Sequence, residues 1–170
     1  MEKEFDILTG AKRLDEVKFS KIRTVMDMVA ALPAKGEEGL SLSAGEPDFD
    51  TPAPIKEAVI KALEENYTHY GSNRGYPALR KLLCEKLEKE TGVSYDPETE
   101  IIFTTGGAEA LNNAFMAVVD PGDEVIVFSP AFITYENLVH MCGGKLVKVP
   151  LKKENNYQIH MEDLKAAVTD

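Results

Sequence analysis

A run of seven residues, Thr104-Thr105-Gly106-Gly107-Ala108-Glu109-Ala110, joins an apolar stretch to a helix-forming one through two glycines. A strand that turns through glycines into a helix points first-turn amides and the positive end of the helix dipole at one spot, which suits a phosphate. Adjacent glycines let the backbone approach an anion closely, and a hydroxyl from Thr105 or Thr104 can add a donor. The same residues also make a tight strand-to-helix turn that binds nothing, and this segment alone does not decide between the two. It matches neither the G-x-G-x-x-G fingerprint of dinucleotide-binding folds nor the G-x-x-x-x-G-K-[ST] loop of nucleotide hydrolases.

A second candidate is Pro130-Ala131-Phe132-Ile133-Thr134-Tyr135, at the end of the next apolar stretch. In open α/β sheets ligands sit beyond the carboxyl ends of the strands, where an aromatic ring can stack on a flat cofactor. Taken alone, Phe132 reads more simply as a packed core residue. The third is the polar loop Tyr67-Thr68-His69-Tyr70-Gly71-Ser72-Asn73-Arg74-Gly75. A phenol there can donate to a phosphate, whereas His69 by itself reads as part of a solvated loop. Neither His140 nor His160 has a visible constellation of partners, and Lys152-Lys153 and Glu88-Lys89-Glu90 read as solvated charge. Cys84 and Cys142 match no metal-ligand or redox spacing and read as reduced thiols.

The elements that position these segments follow from periodicity and punctuation. Residues 1–18 read as a mixed, charged arm. Ser20 is a plausible N-cap for a helix carrying Ile22, Val25, Met26, Val29 and Leu32, ended by Pro33 and Gly36. Leu40 to Ser43 is a short apolar alternation, and Gly45 to Pro52 is a loop rich in turn formers. Pro54 suits the first turn of a helix with Ile55, Ala58, Val59, Ala62 and Leu63 on one side. Pro77 opens a longer helix with Leu79, Leu82, Leu83 and Leu87, closed by Gly92. Glu100 to Thr104 reads as a strand, followed by a helix from about Ala108 to Val119. A strand from Glu124 to Phe128, a helix to about Cys142 stopped by Gly143-Gly144, a strand from Lys145 to Leu151 and an amphipathic helix from Met161 to Val168 complete the pattern. Strands alternating with helices predict βαβ units, a largely parallel sheet and the α/β class. Three strands flanked by helices leave sheet edges and apolar helix faces uncovered, so the chain reads as part of a larger domain.

Composition narrows the function classes. The 170 residues are 44% hydrophobic and 28% charged, close to the globular average, which excludes a disordered tail, a collagen-like repeat or a disulfide-rich miniprotein. The 29 acidic residues against 19 basic ones give a net charge of −10, which disfavours nucleic acid and anionic membranes as partners. The acidic N-terminus has no signal-peptide core and no apolar run reaches membrane-spanning length, so the expectation is a cytoplasmic protein.

Read in order, the motifs resemble the class I/II aminotransferases, pyridoxal-phosphate enzymes of fold type I in the aspartate aminotransferase superfamily. Ser20-Lys21-Ile22-Arg23 is similar to the family's S-x-I-R, and Gly45-Glu46-Pro47-Asp48-Phe49-Asp50-Thr51-Pro52 to its G-x-P-D-F-x-T-P. Tyr70, Gly75 and Leu79-Arg80 match Y-x-x-x-x-G-x-x-x-L-R. Gly106-Gly107-Ala108-Glu109-Ala110 corresponds to the phosphate turn, with Pro121-Gly122-Asp123 and Pro130-x-Phe132-x-x-Tyr135 at the expected distances. Any one of these is weak, but six in order are specific.

The resemblance implies an incomplete three-layer αβα domain with a mostly parallel sheet: residues 1–45 form an N-terminal arm and first helix, and 46–170 the first part of the large domain that binds pyridoxal 5'-phosphate. It implies that Gly106, Gly107 and Ala108 hold the cofactor phosphate, that Phe132 stacks on the pyridine ring, that Tyr70 reaches the phosphate of the neighbouring subunit in a homodimer, and that Gly45 lies near the substrate carboxylate. The implied substrates are an amino acid, with aspartate the family-level candidate, and a 2-oxo acid. The family's Asn-Pro segment, pyridinium-pairing aspartate, Schiff-base lysine and carboxylate-binding arginine do not occur in these residues. Lys145, Lys148, Lys152, Lys153 and Lys165 stand in the wrong context for that lysine, so no catalytic residue is assigned and the chain by itself is expected to be inactive. The alternatives are a non-catalytic remnant that binds a phosphate ligand or dimerises with a relative, and, least favoured, a generic nucleotide-binding module.

Overall fold

The computed structural model describes residues 10–36 and 39–169. The chain divides into two compact units, Met1–Lys21 with Thr105–Asp170, and Ile22–Thr104. In the first, β1 (Glu124–Ser129) and β2 (Lys145–Pro150) form a parallel pair in register from Glu124 opposite Lys145 to Ser129 opposite Pro150. Parallel neighbours need a crossover, supplied here by the helix Ile133–Met141. Preceding them is the helix Gly106–Val118, and the helix Met161–Ala167 follows. Numbered in chain order with the three helices of the second unit, Lys21–Ala30, Ala53–Glu64 and Pro77–Thr91, these are α4, α5 and α6 after α1, α2 and α3.

The core of the first unit lies where α5 meets the sheet: Val127, Val149, Leu138 and a fully buried Val139. Gly143, at φ +76°, stops α5, and the next residue must also be glycine for want of space. A Cβ at Gly144 would come within 3.2 Å of Val139 Cγ1 and of the Asp123 carbonyl oxygen. The segment before α1 clamps α5 from outside. The Lys18 amide donates to Asn137 Oδ1 at 3.0 Å, Asn137 Nδ2 returns a bond to the Lys18 carbonyl at 2.9 Å, and Glu16 pairs with His140 Nδ1 at 2.9 Å.

In the second unit the proline signals hold. Pro54 and Pro77 sit in the first turns of α2 and α3, where a missing amide hydrogen is harmless. Gly92, left-handed at φ +74°, closes α3 with its amide on the Glu88 carbonyl at 2.8 Å. The helices keep apolar side chains in solvent, with Val59, Ile60 and Leu63 of α2 each more than half exposed.

One predicted strand does not form. Residues 101–104 pair in no ladder, and the sheet of the described residues has two strands rather than three. A strand exists only through a neighbour's hydrogen bonds, and a backbone bond of this stretch runs instead from the Phe103 amide to the Arg74 carbonyl, at 3.1 Å. Helix α4 also starts two residues earlier than its composition suggested, at Gly106. Both cysteines are free thiols, and burial pushes Cys84 up from its ordinary value, aided by the negative charges of Asp96 and Glu100.

Glu136 on α5 ties the sheet to the N-terminal segment through Lys148 Nζ at 2.8 Å and Lys18 Nζ at 3.5 Å. The hydrogen bond from Lys148 holds this carboxyl below its ordinary 4.5, against partial burial. A carboxyl lowered on folding adds stability above its unfolded value and loses it as pH falls through the folded one. Urea unfolding across this acid range should therefore show a smaller acid-induced loss in Lys148→Met than in the unsubstituted protein; equal losses would contradict the pairing.

Candidate functional site

At the start of α4 the chain comes through Thr105 (φ −76°, ψ 72°) into Gly106 at φ +80°. That left-handed backbone is the conformation for which a glycine is needed. A Cβ built at either Gly106 or Gly107 would meet nothing within 4 Å. The turn therefore presents bare backbone to open space. Helical geometry leaves the amides of Gly107 and Ala108 without acceptors inside the helix. The Thr105 amide is satisfied by the Glu109 carboxylate reaching back from the first turn, and the Thr105 side chain makes no cap hydrogen bond. Helix-start amides bordered by open, glycine-formed backbone suit a phosphate group in access and in sign.

Phe132 lies in the same unit, just beyond β1, as the N-cap of α5. The residue is 56% exposed, and its ring meets that of Tyr135 edge-on, with centroids 6.1 Å apart. It is not the packed core residue that its composition alone suggested. An accessible flat ring beyond a strand's carboxyl end suits a planar ligand.

Tyr70 and Gly45 belong to the second unit. Tyr70 is fully exposed, and a Cβ at Gly45 would meet nothing within 4 Å. Tyr67 packs edge-on against Tyr76 with centroids 6.2 Å apart. The polar loop is fastened at its far end. Gly75, at φ +90°, lies so close to Phe103 that a Cβ would stand 3.0 Å from its ring.

The residue that sequence reasoning placed in a motif without a role is Arg80, 1% exposed. Its Nε donates to the Pro97 carbonyl at 2.7 Å, Nη1 to the Gly75 carbonyl at 2.7 Å and to Ser72 Oγ at 3.2 Å, and Nη2 to Glu98 at 2.9 Å. The sequence offered little signal, because α3 also carries Lys81, Glu85, Lys86, Glu88, Lys89 and Glu90, and nothing local marks Arg80 as the buried charge. Its acceptors, spread between positions 72 and 98, leave no spacing to read.

Among the lysines, Lys148 is paired with Glu136, Lys152 with Asp163 at 2.7 Å and Lys165 with Glu162 at 3.2 Å. Lys152 holds the Asp163 carboxyl below its ordinary range by hydrogen bonding. Among the described residues no cluster of histidine, cysteine, aspartate and glutamate could hold a metal ion, and no helix is long and apolar enough to cross a membrane.

Comparison with known proteins gives a consistent picture. The family model for aminotransferase class I and II matches residues 37–170. A probable aspartate/prephenate aminotransferase of Aquifex aeolicus is 44% identical over 94% of this chain and 40% of its own length. An aspartate aminotransferase of Pyrococcus abyssi is 40% identical over 93% of the chain and 40% of its own length. The solved aspartate aminotransferase of Thermus thermophilus with maleate superposes with a TM-score of 0.88 at 40% identity, over 95% of this chain and 42% of that one. The chain thus spans about 40% of the length of the curated relatives it matches.

The two glycines of the turn should respond oppositely to a methyl group. Gly106→Ala forces a side chain into the left-handed region and is expected to destabilise by about 1–2 kcal/mol. Gly107→Ala, at ordinary helical backbone with room around it, should be neutral or stabilising by up to about 1 kcal/mol. Urea midpoints of the two variants check the ordering, and the reverse order would contradict the turn described.

Proposed function

The chain belongs to the class I and II aminotransferases, and from that membership we propose that it forms the phosphate- and ring-binding part of a pyridoxal-phosphate enzyme acting on an amino acid and a 2-oxo acid. The observation that carries the reading is the glycine turn opening α4, whose backbone borders unfilled space. Bound there, pyridoxal 5'-phosphate supplies an electron sink for charge developing at the substrate's α-carbon.

The chain's own share is anchorage and orientation. The Gly107 and Ala108 amides donate to the phosphate, with Gly106 setting the turn that aims them, and the α4 dipole favours the negative charge. Phe132 would stack on the pyridine ring. The Tyr70 hydroxyl donates to the phosphate of the neighbouring subunit, so that the working assembly is a homodimer. The Gly45 backbone borders the substrate carboxylate. Residues 46–170 accordingly form part of the cofactor-binding large domain, with residues 1–45 as the arm and first helix. Relatives named aspartate/prephenate and aspartate aminotransferases support aspartate as the amino donor.

The sequence context of the lysines supports a chain that does not transaminate by itself, and the ion pairs of three of them add to it. A lysine that carries the cofactor must reach it as a free amine, whereas Lys148, Lys152 and Lys165 are engaged by carboxylates. Titration of the chain with pyridoxal 5'-phosphate and with pyridoxal, followed by borohydride reduction and peptide mapping, tests both halves. The phosphate ester should bind about tenfold or more tightly than the alcohol, since hydrogen bonds to a charged group are worth roughly 1.5–3 kcal/mol. No single lysine should be labelled stoichiometrically. Equal affinities would remove the phosphate site, and one stoichiometric lysine adduct would overturn the inactivity.

A further inference from the structure

We propose that Arg80 is the positioning residue for Tyr70: its buried guanidinium fixes the loop from Ser72 to Gly75, and thereby the angle at which the Tyr70 phenol is offered to a phosphate. The inference rests on the reading of Tyr70 given above and extends it to a residue that touches neither cofactor nor substrate.

Tyr70 itself is fully exposed, so packing of its own ring does not hold it. Its backbone two residues on is held instead. Ser72 Oγ accepts from Arg80 Nη1 at 3.2 Å and from the Arg74 amide at 3.3 Å. The Gly75 amide closes the turn on the Ser72 carbonyl at 2.9 Å, and the Gly75 carbonyl takes the second bond from Arg80 Nη1, at 2.7 Å. One guanidinium nitrogen thus grips both ends of a four-residue turn.

The other side of the fork is equally built. Arg80 Nε meets the Pro97 carbonyl at 2.7 Å, and Nη2 meets Glu98 Oε2 at 2.9 Å, an oxygen that also lies 3.3 Å from Arg74 Nη2. Pro97 and Glu98 are presented by a turn that Asp96 organises, accepting from the Glu98 amide at 2.9 Å and from Thr99 Oγ1 at 2.6 Å. Those bonds, the Thr99 hydroxyl first, hold the Asp96 carboxyl below its ordinary range. A lysine would keep the charge of Arg80 but, as a point donor on a flexible stem, would lose the planar fork that reaches all three stretches together.

A coupling experiment on the full chain tests the inference. The dissociation constants of pyridoxal 5'-phosphate and of pyridoxal are measured for the unsubstituted chain, Tyr70→Phe, Arg80→Lys, Ser72→Ala, and the double variants Tyr70→Phe/Arg80→Lys and Tyr70→Phe/Ser72→Ala. Hydrogen exchange of the amides of residues 72–75 is followed without ligand. Tyr70→Phe should weaken the phosphate ester about tenfold, the value of one charge-assisted hydrogen bond, and leave pyridoxal unchanged. Arg80→Lys and Ser72→Ala should each weaken the phosphate ester in the same selective way and speed exchange in the turn, and the doubles should be no weaker than Tyr70→Phe alone. Ser72→Ala leaves three of the four Arg80 bonds in place, so it answers the question even where Arg80→Lys does not fold. A selective Tyr70 effect that multiplies independently with that of Ser72 overturns the role of Arg80 and leaves the reading of Tyr70 standing. A Tyr70→Phe variant that binds both ligands like the unsubstituted chain overturns both.

Discussion

Burying a guanidinium is unfavourable by several kcal/mol unless its donors find acceptors, and in the unit Ile22–Thr104 that requirement falls on Arg80. Meeting it shapes two stretches far apart in sequence, 72–75 and 97–98, because the Gly75 and Pro97 carbonyls and the Glu98 carboxylate must point inward where the fork ends. The loop that carries Tyr70 is therefore shaped by electrostatic satisfaction from below and not by burial of its own side chains. Gly75 follows from the same constraint. With its carbonyl turned to Arg80 and Phe103 against its α-carbon, it takes a positive φ and leaves no room for a Cβ.

The first unit solves a different problem, that of ordering two loops beyond a small parallel sheet. Its few buried apolar side chains lie between α5 and the strands, and polar clamps from Glu16 and Lys18 steady α5 from outside. On that frame the start of α4 and the N-cap of α5 are left open. One offers helix-start amides and the other an exposed ring. An anion and a flat π-system make different demands, and the function proposed above assigns them to separate short segments, each at the start of its own helix. Under the proposed reading, the same division of labour accounts for Gly106-Gly107 carrying no side-chain information at all, because the backbone would be the binding group.

Much of this was legible in the residues. Pro54, Pro77, Gly92 and Gly143 marked helix boundaries because their backbone demands are local. The glycine turn was legible as a site candidate for the same reason, and Phe132 only through its place beyond the end of a strand. What was not legible depended on partners distant in sequence. Glu100 to Thr104 has a strand's composition, yet among the described residues no strand alongside it supplies a ladder, and its Phe103 amide turns to Arg74. Phe132 looked like core from its side chain alone, and only its place as an N-cap shows why it is exposed. Arg80 had a motif but no visible function, because its meaning lies in acceptors up to eighteen residues away.

The most direct test of the phosphate assignment is a backbone-amide NMR titration of the chain, comparing pyridoxal 5'-phosphate, inorganic phosphate and pyridoxal. If the account is right, the Gly107 and Ala108 amides shift and saturate with both phosphate-bearing ligands and stay still with pyridoxal. If they stay still throughout, while amides elsewhere such as those near Lys145 and Lys148 respond to phosphate, the cofactor phosphate does not bind at the start of α4.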